Sequence, residues 1–347
     1  MADYRTRRPG PSLMDDRALL SRLMEGPATG EALARACGQT RAAVWKRIDA
    51  LREAGLAIEA RPGHGYALVH PLELLDSERI AVALPPEARA RTAAVEVAWS
   101  VDSTNSELLR RVPAIDGTAT VLLAERQTRG RGRRGRDWAS PMAAHLYLSL
   151  SRTFAGGLSR LGGLSLVAGI ATVEALHAAG YPGVRLKWPN DLVVAGDDGG
   201  LRKLGGLLVE GGGEHAGPVR AVIGLGLNVR MPPAFAARID QPWCDLAGLA
   251  RQAASVPGRN DLAALVVARW LVALDEFDAS GLAPFLPRYA AADALAGHAV
   301  TVRGDREQLS GTASGLAADG ALRVRVADGS ERCFHSGEVS VRRGDAA

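Results

Sequence analysis

The most unusual segment of the chain is a run of glycines and arginines, Gly130-Arg-Gly-Arg-Arg-Gly-Arg136, which is followed by Asp137 and Trp138. Six arginines lie between Arg126 and Arg136. Glycines let a backbone approach a ligand closely, and each guanidinium offers paired donors to a phosphate or a carboxylate. The composition therefore predicts a loop that becomes ordered around an anion.

This segment has two alternative interpretations. Gly130, Gly132 and Gly135 match the G-x-G-x-x-G fingerprint of dinucleotide-binding proteins. That fingerprint needs a helix directly after the glycines, whereas Ala139-Ser-Pro141 and a strand-like run follow here, so we disfavour it. The other interpretation is an exposed basic loop that contacts nucleic acid without sequence preference.

Lysine is rare in this chain, since only Lys46, Lys187 and Lys203 occur among 42 basic residues. Lysine is a compact point charge and arginine a flat fork, so a lysine in such a chain marks a place to search for chemistry. Lys187 begins K-W-P-N-D at the end of a strand-like run, and Lys203 begins K-L-G-G. The alternative is drift in base composition.

Two further segments could line a site. Ser103-Thr-Asn105 stands at a predicted helix start, where simple N-capping is the alternative explanation. Gly224-Leu-Gly-Leu-Asn228 predicts a strand whose glycines leave space on one face.

Residues 13–70 predict a winged helix-turn-helix domain. The pattern indicates helices over Leu13–Met24, from a Thr29 cap, and over Arg41–Glu53 behind a Thr40 cap, with Gly38 in the turn. Two short strands around a glycine turn would form the wing. We expect Trp45 and Ile48 to face the core. A small helical packing or regulatory module that binds no nucleic acid is the alternative.

The remaining chain predicts an α+β protein. Residues 1–12 read as a flexible arm, 71–91 as a linker helix broken at Pro85-Pro86, and 92–290 as a mixed sheet covered by helices. Residues 297–347 contain short strands and turns typical of a small β-barrel.

Composition excludes several classes of protein. No apolar run approaches the roughly 18 residues that a membrane span needs, and the N-terminus lacks the apolar core of a signal peptide. Three cysteines without C-x-x-C spacing predict neither a disulfide framework nor a zinc site, which suits a reducing cytoplasm. A net charge of +4 permits a polyanionic partner without requiring one.

The motifs Q-x-x-G-R-G-R-x-G-R-x-W, K-W-P-N-D, K-L-G-G and G-L-G-L-N-V stand in this order behind the winged helix. In this arrangement the chain resembles the bifunctional biotin protein ligases that double as biotin operon repressors. The resemblance covers essentially the whole chain, including residues 337–340, and implies a central biotin/lipoate ligase-like domain and a C-terminal SH3-like barrel. It also implies that ATP, Mg²⁺ and biotin form biotinyl-5′-AMP, and that biotin passes to a lysine of biotin carboxyl carrier protein.

The resemblance assigns roles residue by residue. The biotin head group would be held by Ser103, Thr104, Asn105 and Gln127. The carboxylate and acyl phosphate would be wrapped by Gly130, Arg131, Gly132 and Arg133, with Lys187 and Arg133 as the catalytic pair. The nucleotide would contact Asn190, Lys203, Asn228 and Trp243, the last by stacking on adenine, unless Trp243 is only a half-buried anchor. The metal ligands are left open.

The resemblance further implies operator DNA as a partner, contacted by Arg41, Lys46, Arg47 and Arg61, and a homodimer promoted by biotinyl-AMP. Two alternatives stay open. One is a ligase whose winged helix no longer represses, and the other is a biotin-sensing transcription factor without catalysis.

Overall fold

The computed structural model describes residues 11–343 except residue 116 and the segments 155–156, 158–161, 214–217, 251–255, 305–307 and 337–339. Residues 1–10 of the predicted arm and most of the motif at 337–340 therefore lie outside the described residues.

The N-terminal domain consists of three helices and a two-stranded wing. Its elements are α1 (Pro11–Met24), α2 (Gly30–Ala36), α3 (Arg41–Glu53), β1 (Ile58–Arg61) and β2 (Gly65–Leu68). The predicted caps are confirmed, because Thr29 Oγ1 accepts from the Ala32 amide and Thr40 Oγ1 from the Ala43 amide. The helix-turn-helix and its wing are thus present.

Helix α3 contradicts one expectation about its faces. Val44, Ile48 and Leu51 are buried, as helical spacing requires. Trp45 is 55% exposed, so the prediction that it faces the core is wrong. The reason is geometric, because successive helix residues are rotated by about 100°, which turns position 45 away from the face shared by Val44, Ile48 and Leu51.

The linker is two short helices, α4 (Ser77–Ala83) and α5 (Pro86–Ala90), separated at the prolines as predicted. Asp76 caps α4 by accepting from the Arg79 amide at 2.9 Å. Just before it, the Glu73 carboxylate accepts from the Arg259 amide at the start of a long helix of the next domain. The linker is therefore bonded to the central domain.

The central domain is built on a seven-stranded mixed sheet of order β3-β4-β5-β9-β8-β7-β6. Among the strand pairs of the described residues, β3–β4 is parallel and the others in this sheet are antiparallel. The strands are β3 (Thr92–Ala98), β4 (Ala119–Ala124), β5 (Leu146–Phe154), β6 (Arg185–Lys187), β7 (Asp191–Ala195), β8 (Leu201–Gly213) and β9 (Val219–Leu227). The helices are α6 (Thr104–Arg110), α7 (Leu164–Ala178), α8 (Pro233–Ala236), α9 (Leu246–Leu249), α10 (Arg259–Ser280) and α11 (Phe285–Ala292).

The two faces of this sheet differ. Leu148 and Leu150 of β5 belong to the large core that contains the apolar residues of α7 and α10. Leu122 and Val222 pack instead with Leu108 of α6 in a small separate cluster. Because side chains alternate along a strand, α6 covers the opposite face of the sheet, and only part of it.

The C-terminal domain is a five-stranded antiparallel sheet of order β13-β12-β11-β10-β14. Its strands are β10 (Ala299–Arg303), β11 (Gln308–Leu316), β12 (Leu322–Arg325), β13 (Glu331–Phe334) and β14 (Ser340–Arg343). Its turn at Gly320 accepts a hydrogen bond from the buried indole of Trp188 at 3.0 Å. This contact fixes the small sheet beside the K-W-P-N-D segment.

The N-terminal domain also touches the central one. The Met142 amide donates to the Ala54 carbonyl at the end of α3, at 2.7 Å. Met142 and Ala143 belong to the hydrophobic cluster of the winged helix. The end of α3 is thus only a few residues from Trp138, the last residue of the arginine loop motif.

None of the described helices combines the length and apolar character that crossing a bilayer requires.

A fully buried histidine, His145, connects the start of β5 with the end of β9 and the start of α10. His145 Nδ1 lies 3.1 Å from the Val229 amide nitrogen. The backbone carbonyl of His145 accepts a hydrogen bond from the Arg259 guanidinium. That guanidinium also pairs with the buried Glu125 carboxylate at 2.8 Å. Burial lowers the pKa of His145 to about 3, so the ring is neutral in the folded protein.

This burial predicts acid sensitivity. The unfolded state takes up a proton near pH 6.5 that the folded state refuses until about pH 3, so stability is present above pH 6.5 and falls as pH drops below it. Between pH 7 and pH 5.5, protonation of His145 in the unfolded state should lower the free energy of unfolding by about 1.2 kcal/mol. His145→Asn keeps an acceptor and should remove that part of the pH dependence in urea unfolding curves. An equal pH dependence in both proteins would contradict the assignment.

Candidate active site

A row of glycines forms the floor of the site on the face that α6 leaves partly open. The register pairs Asp191 of β7 with Gly206 of β8, and Gly206 with Gly226 of β9. Two residues further along the strands, on the same face, Leu208 pairs with Gly224, and Gly224 pairs with Ser149. Directly paired residues share a face, so this surface has a carboxylate, a hydroxyl and three residues without side chains.

Two of these glycines are required by close contacts. A Cβ on Gly224 would lie 2.3 Å from Asn105 Oδ1, and one on Gly226 would lie 2.4 Å from the Trp138 indole. Strand β9 therefore packs against both the start of α6 and the end of the arginine loop. The space that the glycines of G-L-G-L-N-V are predicted to leave on one face is present, and Asn105 and Trp138 occupy it.

Three of the four predicted head-group residues, Thr104, Asn105 and Gln127, form one hydrogen-bonded chain with Ser140 and Ser149. Thr104 donates through its amide to Gln127 Oε1 at 2.9 Å, and Gln127 Nε2 donates to Ser140 Oγ at 3.3 Å. Ser149 Oγ lies 2.7 Å from both Thr104 Oγ1 and Asn105 Oδ1. Donors and acceptors alternate along this chain, which suits a ligand whose edge carries both.

Ser103 also acts as the N-cap of α6, since its hydroxyl accepts from the Ser106 amide at 3.5 Å. The capping explanation of this residue and its position at the cavity are both correct.

The arginine segment folds as a hairpin over this floor. The Trp138 amide donates to the Gly130 carbonyl at 2.9 Å, and the Gly132 amide to the Arg136 carbonyl at 2.7 Å. Its tip is a 3-10 turn at residues 133–135. No helix follows the glycines before β5 in residues 136–145, so the dinucleotide fingerprint is rejected.

Three side chains tie the hairpin to the sheet. Arg133 donates to Asn190 Oδ1 at 3.2 Å, and Arg131 pairs with Glu210 at 2.7 Å. The Trp138 indole lies against β9, with Lys203 Nζ 5.4 Å from its ring centroid, a cation–π distance.

The two lysines meet at one carboxylate. Lys203 Nζ lies 2.7 Å from Asp191 Oδ1, and Lys187 Nζ lies 3.8 Å from Asp191 Oδ2. Burial lowers the pKa of Lys187, as do the nearby charges of Lys203, Arg136 and Arg342, whereas Asp191 raises it. The Asp191 carboxylate therefore lies between two close cations at the end of β6 and offsets part of the effect of burial on Lys187.

These groups surround a cavity of about 900 Å³. The predicted site residues that line it are Ser103, Thr104, Asn105, Gln127, Arg131, Gly132, Arg133, Lys187, Asn190 and Lys203. The C-terminal sheet contributes Arg303 and Arg342 to the opposite wall. The lining is strongly cationic, which favours a polyanionic ligand.

Three predicted residues lie outside this lining. Gly130 is buried at the base of the hairpin, where a Cβ would lie 2.6 Å from Ser140 Oγ. Asn228 donates through its side-chain Nδ2 to the Cys244 carbonyl at 3.0 Å, and Trp243 is half-buried and forms a β-bridge with Lys203. Asn228 thus holds the segment that contains Trp243. Their contacts with a ligand stay predictions.

The predicted DNA-contacting residues separate into two groups. Arg41 and Lys46 are exposed on α3 together with Trp45. Arg61 is exposed at the wing and pairs with Glu59. Arg47 turns toward α1, where it pairs with Asp16 at 2.5 Å and donates to Gln39 at 2.9 Å. The structure does not bring Arg47 to the face that carries Arg41 and Lys46.

Sequence reasoning missed four residues of the site. Trp138 and Asp191 stood inside recognised motifs but received no role. Ser149 was detectable, because β5 alternates Leu146, Leu148 and Leu150 with polar residues. Glu210 offered no local signal beyond a carboxylate in an apolar strand.

Comparison with known families agrees with this geometry. Residues 97–228 match the Biotin/lipoate A/B protein ligase family, residues 16–67 an HTH domain, and residues 296–342 the Biotin protein ligase C terminal domain. The chain is 38% identical to the Bifunctional ligase/repressor BirA of Salmonella typhimurium, covering 93% of this chain and 96% of that protein. The chain belongs to the bifunctional biotin protein ligase family.

Another ligase/repressor of this family, from Escherichia coli K12, is 37% identical over 90% of this chain and 92% of its own length. Among solved structures, the biotin protein ligase of Aquifex aeolicus in complex with biotin and ATP aligns with a TM-score of 0.58. It shares 26% identity and covers 72% of this chain and 98% of its own. The ligase fold of the family is therefore present here.

The glycine floor predicts a measurable effect on the loop of this biotin protein ligase family member. Gly226→Ala places a Cβ in the Trp138 indole, and overpacking of this kind costs about 1–3 kcal/mol. The indole must move, so trypsin should cleave at the loop arginines roughly fivefold faster or more. Gly212→Ala is the matched control, because no atom lies within 4 Å of its Cβ. Equal cleavage of the two variants would show that Trp138 is not seated on β9.

Proposed function

We propose that this chain is an ATP-dependent biotin protein ligase. It forms biotinyl-5′-AMP and transfers biotin to a lysine of biotin carboxyl carrier protein. We also propose that it represses biotin synthesis genes when biotinyl-AMP is bound. The observation that carries the ligase assignment is the single cavity in which the polar chain around Gln127, the arginine hairpin and the Lys187–Asp191–Lys203 cluster meet.

In the first step the biotin carboxylate attacks the α-phosphorus of ATP. A bond forms between a carboxylate oxygen and phosphorus, the bond to the bridging oxygen breaks, and pyrophosphate leaves. Two anions must meet, so fixed positive charge lowers the barrier by offsetting their repulsion. Lys187 and Arg133 are the proposed sources of that charge. Lys187 suits the role because a point charge can sit between two oxygens.

In the second step the neutral amine of the carrier lysine attacks the acyl carbon, AMP leaves with the bonding electron pair, and the amine proton passes to solvent. The mixed anhydride reacts with water and with any amine, so the site must exclude both. The hairpin tied down by Arg131, Arg133 and Trp138 is suited to that task.

Mg²⁺ is proposed to enter with the nucleotide. Within the described residues, no group of three histidine, cysteine or acidic side chains could hold a metal alone. Magnesium is commonly held by phosphates, waters and one or two carboxylates. Asp137, Asp191 and Asp240 line the cavity and are the carboxylates that would reach it. The ion would neutralise phosphate charge.

The ligase assignment predicts biotin-dependent exchange of labelled pyrophosphate into ATP. Lys187→Arg should keep charge but lower the exchange rate roughly 100-fold, because the larger fork does not reproduce the fixed point charge. Lys46→Arg is the matched control, since it makes the same change far from the cavity. Exchange that requires lipoate rather than biotin, or normal exchange in Lys187→Arg, would contradict the assignment.

The repressor assignment rests on the winged helix and on the family relationship. Arg41, Trp45 and Lys46 form an exposed face of α3 that combines two cations with one apolar ring. This composition suits a major groove, where cations meet phosphate or guanine and an apolar group meets the thymine methyl.

Biotinyl-AMP is proposed to promote a homodimer and thereby DNA binding. A ligand can switch DNA affinity only if it binds two states of the protein differently. The hydrogen bond between Met142 and Ala54 supports such a link, because it joins the chain just beyond Trp138 to the end of α3.

A ligase without repression is the second candidate. The observation in its favour is Arg47, whose guanidinium is engaged with Asp16 and Gln39 inside the helical domain. One of the four proposed DNA contacts is thus committed elsewhere.

The repressor assignment predicts a role for Trp45. The wild-type protein with biotin and ATP should select a duplex from a random pool, and Trp45→Ala should bind that duplex roughly tenfold more weakly. Because Trp45 is exposed, the free energy of unfolding should change by less than about 0.5 kcal/mol. Val272→Ala, at an exposed position of α10, is the control. If no sequence is selected, the chain is a ligase only.

A further inference from the structure

Glu210 is a largely buried carboxylate that the proposed reaction does not use. It lies on β8, and its side chain is 24% exposed. Its Oε2 accepts from Asn105 Nδ2 at 2.9 Å and from the Arg131 guanidinium at 2.7 Å. One oxygen therefore joins the polar pocket at the start of α6 to the arginine hairpin.

The amide of Asn105 is fully engaged by the protein. Its Nδ2 has two hydrogens, and their acceptors are Glu210 and the Leu208 carbonyl at 3.0 Å. Its Oδ1 lies 2.7 Å from Ser149 Oγ. Asn105 thus orients Glu210 as firmly as Glu210 orients Asn105, and the carboxylate cannot turn away from Arg131 without breaking this arrangement.

The hairpin has an anchor at each side of the cavity. Arg133 reaches Asn190, beside the two lysines, whereas Arg131 reaches Glu210, beside the polar pocket. The Arg133 anchor is a hydrogen bond to a neutral amide oxygen. Both guanidiniums are charged donors, but only Arg131 meets an opposite charge, so Coulomb attraction adds to its hydrogen bond.

We propose that Glu210 is a positioning residue that holds the arginine hairpin closed over the cavity through Arg131. The inference rests on the proposed function only in its consequence, which is that the hairpin retains the acyl adenylate. Glu210 touches neither reacting atom. It acts by setting how often the hairpin opens, and so how often the adenylate escapes before the carrier lysine arrives.

The size of the effect follows from exposure. Arg131 is 41% exposed, so water and salt screen its ion pair with Glu210. Loss of a screened pair of this kind should increase the fraction of open hairpin roughly fivefold. Raising NaCl from about 0.05 to about 0.5 M should weaken the pair in the wild-type protein and change little in a variant that lacks it.

The first test uses the ligand-free full chain and does not depend on ligase activity. Glu210→Gln keeps the shape and an acceptor for Asn105 but removes the charge. Trypsin cleavage at Arg133, Arg134 and Arg136 should become roughly fivefold faster and lose its salt dependence. Glu331→Gln is the matched control, because it removes an Arg323 ion pair in the C-terminal sheet. Cleavage at the wild-type rate would overturn the proposal.

The second test measures escape of the intermediate. Adenylate formed from biotin and ATP is chased with unlabelled substrates, and its release should be roughly fivefold faster in Glu210→Gln. It should be at least that much faster in Arg131→Gln, which also removes a proposed ligand contact. The double variant should release it no faster than the faster single variant, because both changes break one contact. Additive effects would overturn the proposal. If the wild type makes no adenylate, the proposed function fails while the cleavage test still decides the role of Glu210.

Discussion

The site depends on the absence of side chains at two positions of β9. Gly224 leaves room for Asn105, and Gly226 leaves room for Trp138, at distances where any Cβ would overlap the neighbouring atoms. Since both contacts lie on one strand, the polar pocket at the start of α6 and the arginine hairpin share a single rigid support. A rigid strand holds geometry better than a loop does, which is what a reaction between two anions requires.

Positive charge on this support is maintained by neighbours of opposite sign. Asp191 lies between Lys187 and Lys203, and Glu210 receives Arg131. Burial and the charges of Lys203, Arg136 and Arg342 lower the pKa of Lys187, and Asp191 partly counteracts them. One carboxylate thus offsets repulsion among cations, and the other holds a cation in place. The C-terminal sheet adds Arg342 from the far wall, so the cavity requires both domains.

Sequence reasoning succeeded where a local rule applied. Hydrogen bonding within one turn determines the caps Thr29 and Thr40 and the bounds of α3. The glycines of β9 are themselves the signal for the space on one face of that strand. Sequence reasoning failed where the outcome depended on distant partners. Trp45 was assigned to the core because it is apolar, and Glu210 was overlooked because Asn105 and Arg131 are about 80 or more residues away along the chain. Periodicity does not reveal such pairings, since strand register determines them.

The most direct measurement is a crystal structure of the full chain with a non-hydrolysable analogue of biotinyl-5′-AMP. We expect the ureido ring against Thr104 and Gln127, the phosphate isostere beside Lys187, and the hairpin closed with Arg131 still on Glu210. An analogue bound outside this cavity, or bound in it with Lys187 turned away from the phosphate isostere, would contradict the assignment of the catalytic centre.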